Sequence, residues 1–166
     1  MKRLILLICV LAMLLPLTGI TSASPEEDEP GTFTITGYTC YAGCYRIVKI
    51  RPGMQVEFYL TAVGTVSGHL AGAFTFEEWG EIDLNPTGKD YGKGKNHGIM
   101  TITNNQGQVV IAFHGKAESG TVSGDFEVVP EECSGDYARL AGRGQYTGNA
   151  GFNFTVTFTG ELHHGD

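Results

Sequence analysis

Apolar and polar residues alternate along the last strand-like segment of the chain. One set of alternate positions is aromatic or aliphatic, and the other is mostly threonine. The first set is Phe152, Phe154, Val156, Phe158 and Leu162, and the second is Asn153, Thr155, Thr157, Thr159 and Glu161. A period of two residues predicts a β-strand with one buried and one solvated face. The same period recurs earlier, where the apolar faces are formed by Met54, Val56, Phe58 and Leu60, and by Val122, Gly124, Phe126 and Val128.

The same period along the chain predicts eight or nine strands and no amphipathic helix of ten residues or more. The predicted strands cover residues 32–36, 45–51, 54–63, 67–77, 98–103, 108–116, 121–129 and 145–162, the last with a break near Asn149. An open sheet of this many strands would expose its edges, whereas closure removes them. The 24 glycines allow the bends that closure needs. We therefore predict an all-β fold, a single antiparallel β-barrel of about eight strands, with a two-sheet β-sandwich as the alternative.

The first residues have the pattern of a secretory signal peptide. Lys2 and Arg3 precede an apolar run from Leu4 to Leu17, and small residues lead to Ala23. This run of 14 residues is shorter than the roughly 20 that span a bilayer. We therefore predict a secreted or periplasmic protein with no integral membrane segment after cleavage. Its predicted parts are a signal peptide at 1–23, an acidic disordered leader at 24–31, a barrel domain at 32–162 and a frayed tail at 163–166.

The chain is acidic, because 18 Asp and Glu residues outnumber 11 Lys and Arg residues and give a formal net charge of −7. Cleavage after Ala23 removes two of the basic residues and brings the charge to about −9. Nucleic-acid binding depends on clustered basic residues that neutralise phosphates, so we expect no nucleic-acid partner. The leader "SPEEDEPG" is interpreted as a solvated segment.

Three cysteines follow the signal peptide: Cys40, Cys44 and Cys133. Export favours disulfides, and an odd number leaves one thiol unpaired. Residues four apart in a strand lie about 13 Å apart, beyond the roughly 7 Å that a disulfide allows, but a turn at Gly43 brings them within reach. A local Cys40–Cys44 disulfide is our first prediction, and a bridge from either residue to Cys133 is the second. A lone CxxxC spacing is too weak to predict a zinc site.

Carboxylates are dense in the segment "EEWGEID", which places Glu77, Glu78 and Glu81 beside Trp79. Two carboxylates across a cleft could act as acid and base on a sugar. Adjacent strand residues point to opposite faces, however, and Gly80 is expected to turn the chain before Glu81. We therefore predict that the three glutamates are solvated and do not form a catalytic set, which argues against a carbohydrate hydrolase.

The remaining candidates for chemistry are histidines. His69 and His114 fall in predicted strands, where single histidines are mostly packed or surface residues. His163 and His164 fall in the predicted frayed tail. The sequence has no nucleophile elbow, zinc-protease motif or phosphate-binding loop. The sequence therefore predicts no cofactor and assigns no catalytic or ligand-binding residue.

The segment "GTVSGDFEVVPEECSGDYARLAGRGQYTG", followed by "FNFTVTFTGEL", resembles the C-terminal half of a family of small bacterial exported proteins of unknown function, whose fold is similar to that of allene oxide cyclase. The matching turn positions are Gly135, Tyr137, Ala138, Leu140, Gly142 and Gly144. "GHLAGAFTFEEW" is similar to the family's opening strand, whereas "CYAGCYR" and Cys133 depart from the pattern. We expect Gly142 and Gly144 to let the chain turn or pack closely, and Tyr137 and Leu140 to plug one end of a barrel.

A barrel of this kind suggests two classes of function. The first is a binding or structural module that holds one small apolar ligand or contacts an envelope partner. The second, implied by the resemblance, is an isomerase or cyclase of the allene oxide cyclase type, which needs mainly a shaped apolar cavity. Large apolar residues on nearly every predicted inward face indicate a filled interior and favour the first class.

Overall fold

A computed structural model describes residues 31–39 and 45–164 of the protein. This part of the chain forms ten strands and one short 3-10 helix, Pro130–Glu132. The strands are β1 Gly31–Thr39, β2 Tyr45–Arg51, β3 Gln55–Gly68, β4 Gly72–Asp83, β5 Gly94–Asn104, β6 Gly107–Glu118, β7 Thr121–Val128, β8 Ser134–Gly135, β9 Leu140–Asn149 and β10 Asn153–His164. None of the described residues belongs to a helix that is long and apolar enough to cross a membrane.

Eight of the strands close into an antiparallel barrel. Their order is β1-β10-β9-β7-β6-β5-β4-β3, and β1 pairs with β3 to complete the ring. Two strands lie outside the ring, since β2 pairs with β3 and the short β8 pairs with β6. The predicted antiparallel barrel is confirmed, and every strand of the ring has a neighbour on both sides.

Alternate residues of the ring strands point inward and form the core. On β10 the buried residues are Phe154, Val156 and Phe158, and the exposed or half-buried ones are Thr155, Thr157 and Thr159. The predicted faces are therefore confirmed for residues 154–159 of this strand. Inward aromatic rings lie over glycines of neighbouring strands. A Cβ atom at Gly98, for example, would lie 2.6 Å from Phe113 Cζ. Such glycines make room for large side chains rather than turning the chain.

The two ends of the barrel differ. At one end, here termed the plugged end, Tyr137 and Leu140 are buried, which agrees with the expected plug. The Tyr137 hydroxyl donates to Gln106 Oε1 at 2.8 Å and accepts a hydrogen bond from Asn104 Nδ2 at 2.8 Å. At the other end, termed the open end, β1 finishes and β10 starts beside a cavity.

The observed starts of β4, β5 and β9 are Gly72, Gly94 and Leu140, whereas the predicted starts were residues 67, 98 and 145. β4 begins at Gly72, since the chain turns at His69 after Gly68, whose φ is +93°. β9 begins at Leu140, so Gly142 lies within a strand instead of a turn. A Cβ atom at Gly142 would lie 2.6 Å from Leu162 Cδ2, so close packing is the reason for glycine there.

The bounds of the last strand also differ from the prediction. β10 begins at Asn153, so Phe152, which was predicted to face the core, lies before the strand and is 46% exposed. The strand continues to His164, which pairs with Leu140 of β9. His163 and His164 therefore belong to the sheet, although the sequence predicted a frayed tail there.

β1 and β2 pair with consecutive parts of the same edge of β3. Thr39, the last residue of β1, lies opposite Ala62, and Tyr45, the first residue of β2, lies opposite Leu60. Ala62 and Leu60 are two residues apart on one strand, a separation of about 7 Å. The two described ends that flank residues 40–44 therefore lie close together.

We expect a disulfide between Cys40 and Cys44, a prediction that falls on residues outside those described. Each cysteine is adjacent to one of the two strand ends, Thr39 and Tyr45, whose separation suits the roughly 4 to 7 Å between the Cα atoms of a disulfide. Cys133 is a free, half-buried thiol, 3.4 Å from Val129 O. Peptide mass spectrometry without reduction should find residues 40 and 44 cross-linked and Cys133 alkylated. Alkylation of all three would contradict the prediction.

Candidate functional site

A cavity of about 170 Å³ enters the barrel from the open end. Its wall consists mostly of inward apolar side chains, among them Ile35, Leu60, Phe76, Met100, Phe113 and Phe154. Large residues fill the plugged half of the barrel, as the sequence indicated, but they leave this space in the open half. The interior is therefore only partly filled.

Seven polar residues line this space. Four of them are Thr39, Glu81, Lys95 and Asn149, and the other three, Glu78 of β4, Asn96 of β5 and Tyr146 of β9, interact with one another. Glu78 follows Phe76 by two residues, and this spacing places both on the inner face of the strand. Asn96 lies opposite Gly80 and is therefore a diagonal neighbour of Glu78 on the same face. Asn96 is only 7% exposed, so its amide requires partners inside the protein.

Hydrogen bonds connect these three residues, here termed the polar cluster. The Tyr146 hydroxyl donates to Asn96 Oδ1 at 3.3 Å. Because Oδ1 accepts this bond, the Asn96 Nδ2 group donates to the Glu78 carboxyl. Gly124 leaves room for the Tyr146 ring, because a Cβ atom at this position would lie 2.8 Å from Tyr146 Cε1. Glu78 is the end of the hydrogen-bonded chain and its only carboxyl group.

The surroundings of the polar cluster shift two pKa values. Burial raises the pKa of Glu78 to about 7, while the hydrogen bond from Asn96 acts in the opposite direction. Burial also raises the pKa of Tyr146 to about 12; the hydrogen bond to Asn96 opposes this shift, and the charges of Glu78 and Asp125 add to it. Near neutral pH, Glu78 is thus close to half protonated, whereas Tyr146 stays neutral.

The prediction made for the glutamates is wrong for Glu78. β4 does not turn at Gly80 but continues to Asp83, because β3 and β5 pair with it along this stretch. Glu78 therefore lies inside the barrel. Glu77 is exposed, as predicted, and Glu81 is half-buried at the mouth of the cavity, three residues from Glu78. Glu78 and Glu81 therefore line the same cavity, whereas Glu77 does not, and of the two only Glu78 belongs to the polar cluster.

The other candidate residues lie away from the cavity. His69 is exposed in the turn between β3 and β4. His114 is exposed on the outer face, with its Nε2 atom 3.9 Å from Asp125 Oδ2. In the part of the chain that the structure describes, no three His, Cys, Asp or Glu side chains are grouped so as to hold a metal ion. The polar cluster is thus the arrangement that the sequence did not identify.

Comparison with known proteins reveals a shared fold. The barrel is similar to the crystal structure of a protein of unknown function from the DUF3224 family of Shewanella oneidensis MR-1, with a TM-score of 0.57 and 14% sequence identity. The match covers 84% of this chain and 98% of the other, and at this identity it establishes the fold alone. No family model and no curated protein matches the sequence. The resemblance to bacterial barrel proteins of unknown function is supported to this extent, and the likeness to allene oxide cyclase stays a prediction.

Proposed function

We propose that the protein binds a small, mainly apolar molecule that carries one polar group. The supporting observation is the cavity, an apolar space with Glu78, Asn96 and Tyr146 together on its wall. Ligand sites typically combine an apolar wall with a few polar groups that fix the orientation of the ligand. A carboxyl group with a raised pKa destabilises a fold, and such groups concentrate at functional sites.

The volume of the cavity limits the part of the ligand that it can enclose. An apolar cavity of about 150 Å³ is large enough for a benzene molecule. A cavity of about 170 Å³ therefore encloses one ring or a short alkyl chain. Any larger part of the ligand lies in the mouth.

The chemistry of Glu78 favours an amine as the polar group of the ligand. Asn96 donates one hydrogen bond to the carboxyl, and an ionised carboxyl has further lone pairs that accept hydrogen bonds. An ammonium group donates to them and also compensates the charge. A ligand carboxylate would instead be repelled by ionised Glu78. We therefore expect affinity to decrease from an amine to an alcohol to a carboxylate of the same chain length.

Titration calorimetry with butylamine, butanol and butyrate tests the proposal. Butylamine affinity should rise about tenfold from pH 6 to pH 8, because the ionised fraction of Glu78 rises by that factor when the pKa is about 7. In Glu78→Gln this pH dependence should disappear. Glu77→Gln, a change at the adjacent exposed residue of β4, is the matched control and should bind like the wild type. If Glu78→Gln bound butylamine with the same affinity and pH dependence as the wild type, the proposal would be contradicted.

A second candidate function is an isomerase or cyclase that uses the Glu78 carboxyl in catalysis. The observation in favour is the raised pKa of Glu78, about 7, near which a carboxyl both accepts and donates protons at neutral pH. An isomerase would use Glu78 to take a proton from one carbon of the substrate and return it to another. A cyclase would use the ionised carboxyl to stabilise the positive charge that develops as the epoxide C–O bond of an allene oxide breaks and the ring C–C bond forms. Neither reaction needs a cofactor. Conversion of an allene oxide above the spontaneous rate, lost in Glu78→Gln and kept in Glu77→Gln, would favour the enzyme over the binding protein.

We also propose that the protein acts outside the cytoplasm, as the signal peptide at residues 1–23 suggests. The support is the basic start and the short apolar run of that segment. Intact mass spectrometry of the native protein should show a mature chain that begins near Ser24. A cytoplasmic protein that keeps Met1 would contradict the proposal.

A further inference from the structure

Exposed apolar side chains are concentrated on β2. Ile47 is 52% exposed and Ile50 is 64% exposed, and Tyr45 and Val48 are exposed as well. Contiguous exposed apolar residues on a soluble protein commonly mark a binding surface. β2 lies beside the mouth of the cavity, because its partner strand β3 contributes residues to the cavity wall.

The pairing of β2 with β3 directs three of these residues to the cavity side. The opposite pairs are Tyr45 with Leu60, Ile47 with Phe58, and Ile50 with Val56. Directly opposite residues of an antiparallel pair point to the same face. Phe58 and Leu60 line the cavity, and the rings of Tyr45 and Phe58 are stacked with centroids 5.9 Å apart. The inner face of β2, formed by Tyr45, Ile47 and Ile50, therefore continues the apolar wall outward.

The outer face of β2 carries exposed charged side chains that pair with residues of β3. The Arg46 guanidinium lies over the Tyr59 ring, 4.7 Å from its centroid, and Arg51 pairs with Glu57. The inner face is apolar instead, and its Ile47 and Ile50 side chains are more than half exposed. This difference in chemistry makes the inner face the surface of β2 that an apolar molecule would cover.

We propose that the inner face of β2 is a second subsite, which binds the alkyl chain of an amphiphile whose polar group lies at Glu78. This inference rests on the proposed function. The cavity of about 170 Å³ is smaller than the roughly 300 Å³ at the lower end of ligand sites. A ligand of ordinary size therefore leaves the cavity through the mouth, where the inner face of β2 is the adjoining apolar surface.

The register of the strands sets the length of the alkyl chain. Glu78 lies opposite Leu60, and Ile50 lies opposite Val56, four residues away on the same strand β3. Four residues of a strand span about 13 Å, and the two strand spacings from β4 to β2 add about 10 Å across the sheet, so the two positions lie about 16 Å apart. An extended alkyl chain of about twelve to thirteen carbons covers this distance. The subsite therefore fits a single-chain amphiphile of medium length.

Binding of butylamine, octylamine and dodecylamine, measured by calorimetry below their micellar concentrations, tests the subsite. Each methylene group removed from water should raise the affinity by about threefold to fourfold. The wild type should thus bind dodecylamine at least about 100-fold more tightly than butylamine. The double variant Ile47→Asn, Ile50→Asn should lose at least about tenfold of the dodecylamine affinity and keep butylamine within about twofold.

The matched control is the double variant Val63→Asn, Ile99→Asn. Val63 and Ile99 are also exposed apolar strand residues, 41% and 39% exposed, but they do not line the cavity. Their substitution should change the affinity for neither amine. An equal loss of dodecylamine affinity in this control would overturn the subsite, because the loss would then follow from removing any exposed apolar residue and not from the position of β2.

Failure of the subsite and failure of the proposed function give different results. Equal affinities for butylamine and dodecylamine, with butylamine still dependent on Glu78, would overturn the subsite alone. No binding of any amine to the wild type would overturn both. A second copy of the chain could also bury the inner face of β2, and sedimentation velocity would detect such a dimer. A dimer that Ile47→Asn, Ile50→Asn dissociates would also overturn the subsite.

Discussion

Glu78→Gln should be more stable than the wild type at pH 8, by about 2 to 3 kcal/mol, and nearly equal to it at pH 4. The pKa of Glu78 is about 7 in the folded protein and 4.5 in the unfolded reference. Each pKa unit corresponds to about 1.4 kcal/mol of differential stability. Partial exposure of Glu78 reduces the effect through solvent screening, so the full shift is an upper bound.

The direction of this effect follows from the protons bound in the two states. Between pH 4.5 and pH 7 the folded protein keeps a proton on Glu78 that the unfolded chain has released. Stability therefore falls as the pH rises through this window, and the loss is complete above the folded pKa. Below the unfolded pKa both states are protonated and the penalty vanishes. The glutamine side chain of Glu78→Gln is neutral at every pH, so the variant lacks the penalty.

Urea unfolding of the wild type, Glu78→Gln and Glu77→Gln at pH 4, 6 and 8 measures these differences. Glu77→Gln removes the same charge from the exposed face of β4 and should stay within about 0.5 kcal/mol of the wild type. A variant that gains stability and loses amine binding would show that the carboxyl is kept for function at the expense of the fold. Equal pH dependence in all three proteins would show that Glu78 is not held in its protonated form.

The sequence could have identified Glu78, because Phe74, Phe76 and Glu78 alternate on one face of β4. The prediction failed because Gly80 was interpreted as a turn. In the barrel Gly80 makes room for Phe58, whose Cε1 atom would lie 2.8 Å from a Cβ atom there. A glycine that turns the chain and a glycine that makes room for a neighbouring ring look alike in a single sequence. Only the strand order shows which side chain lies beside the glycine.

The partners of Glu78 could not be predicted from spacing. Asn96 and Tyr146 are 50 residues apart, and only the register of β4, β5 and β9 brings them together with Glu78. The sequence also could not predict the position of β2 in the fold. Its bounds, Tyr45–Arg51, were predicted, but its alternation does not show that it lies outside the ring and leaves one apolar face exposed. Local patterns predicted strands and faces, whereas the site depends on long-range pairing.

Phe158→Ala should destabilise the protein by about 3 to 5 kcal/mol, the usual loss when a buried phenylalanine is truncated. Phe158 is 3% exposed, and its ring stacks on that of Phe33 with centroids 4.8 Å apart. It also contacts the rings of Phe126 and Tyr146, at 5.4 and 5.3 Å. The variant loses these contacts and leaves a hole beside the cavity, so a large share of a typical stability of about 5 to 15 kcal/mol is lost.

Phe152→Ala is the matched control, because the alternation of the sequence assigns Phe152 and Phe158 to the same face of the last strand. In the structure β10 begins at Asn153, and the exposed Phe152 side chain lies before it. The backbone there is held independently of the ring, since Thr39 N donates to Phe152 O at 2.9 Å. Because the Phe152 side chain is 46% exposed, its truncation should cost clearly less in urea unfolding than the truncation of Phe158. Equal losses in the two variants would show that Phe152 is part of the core and that the inward face of β10 extends to the mouth of the cavity.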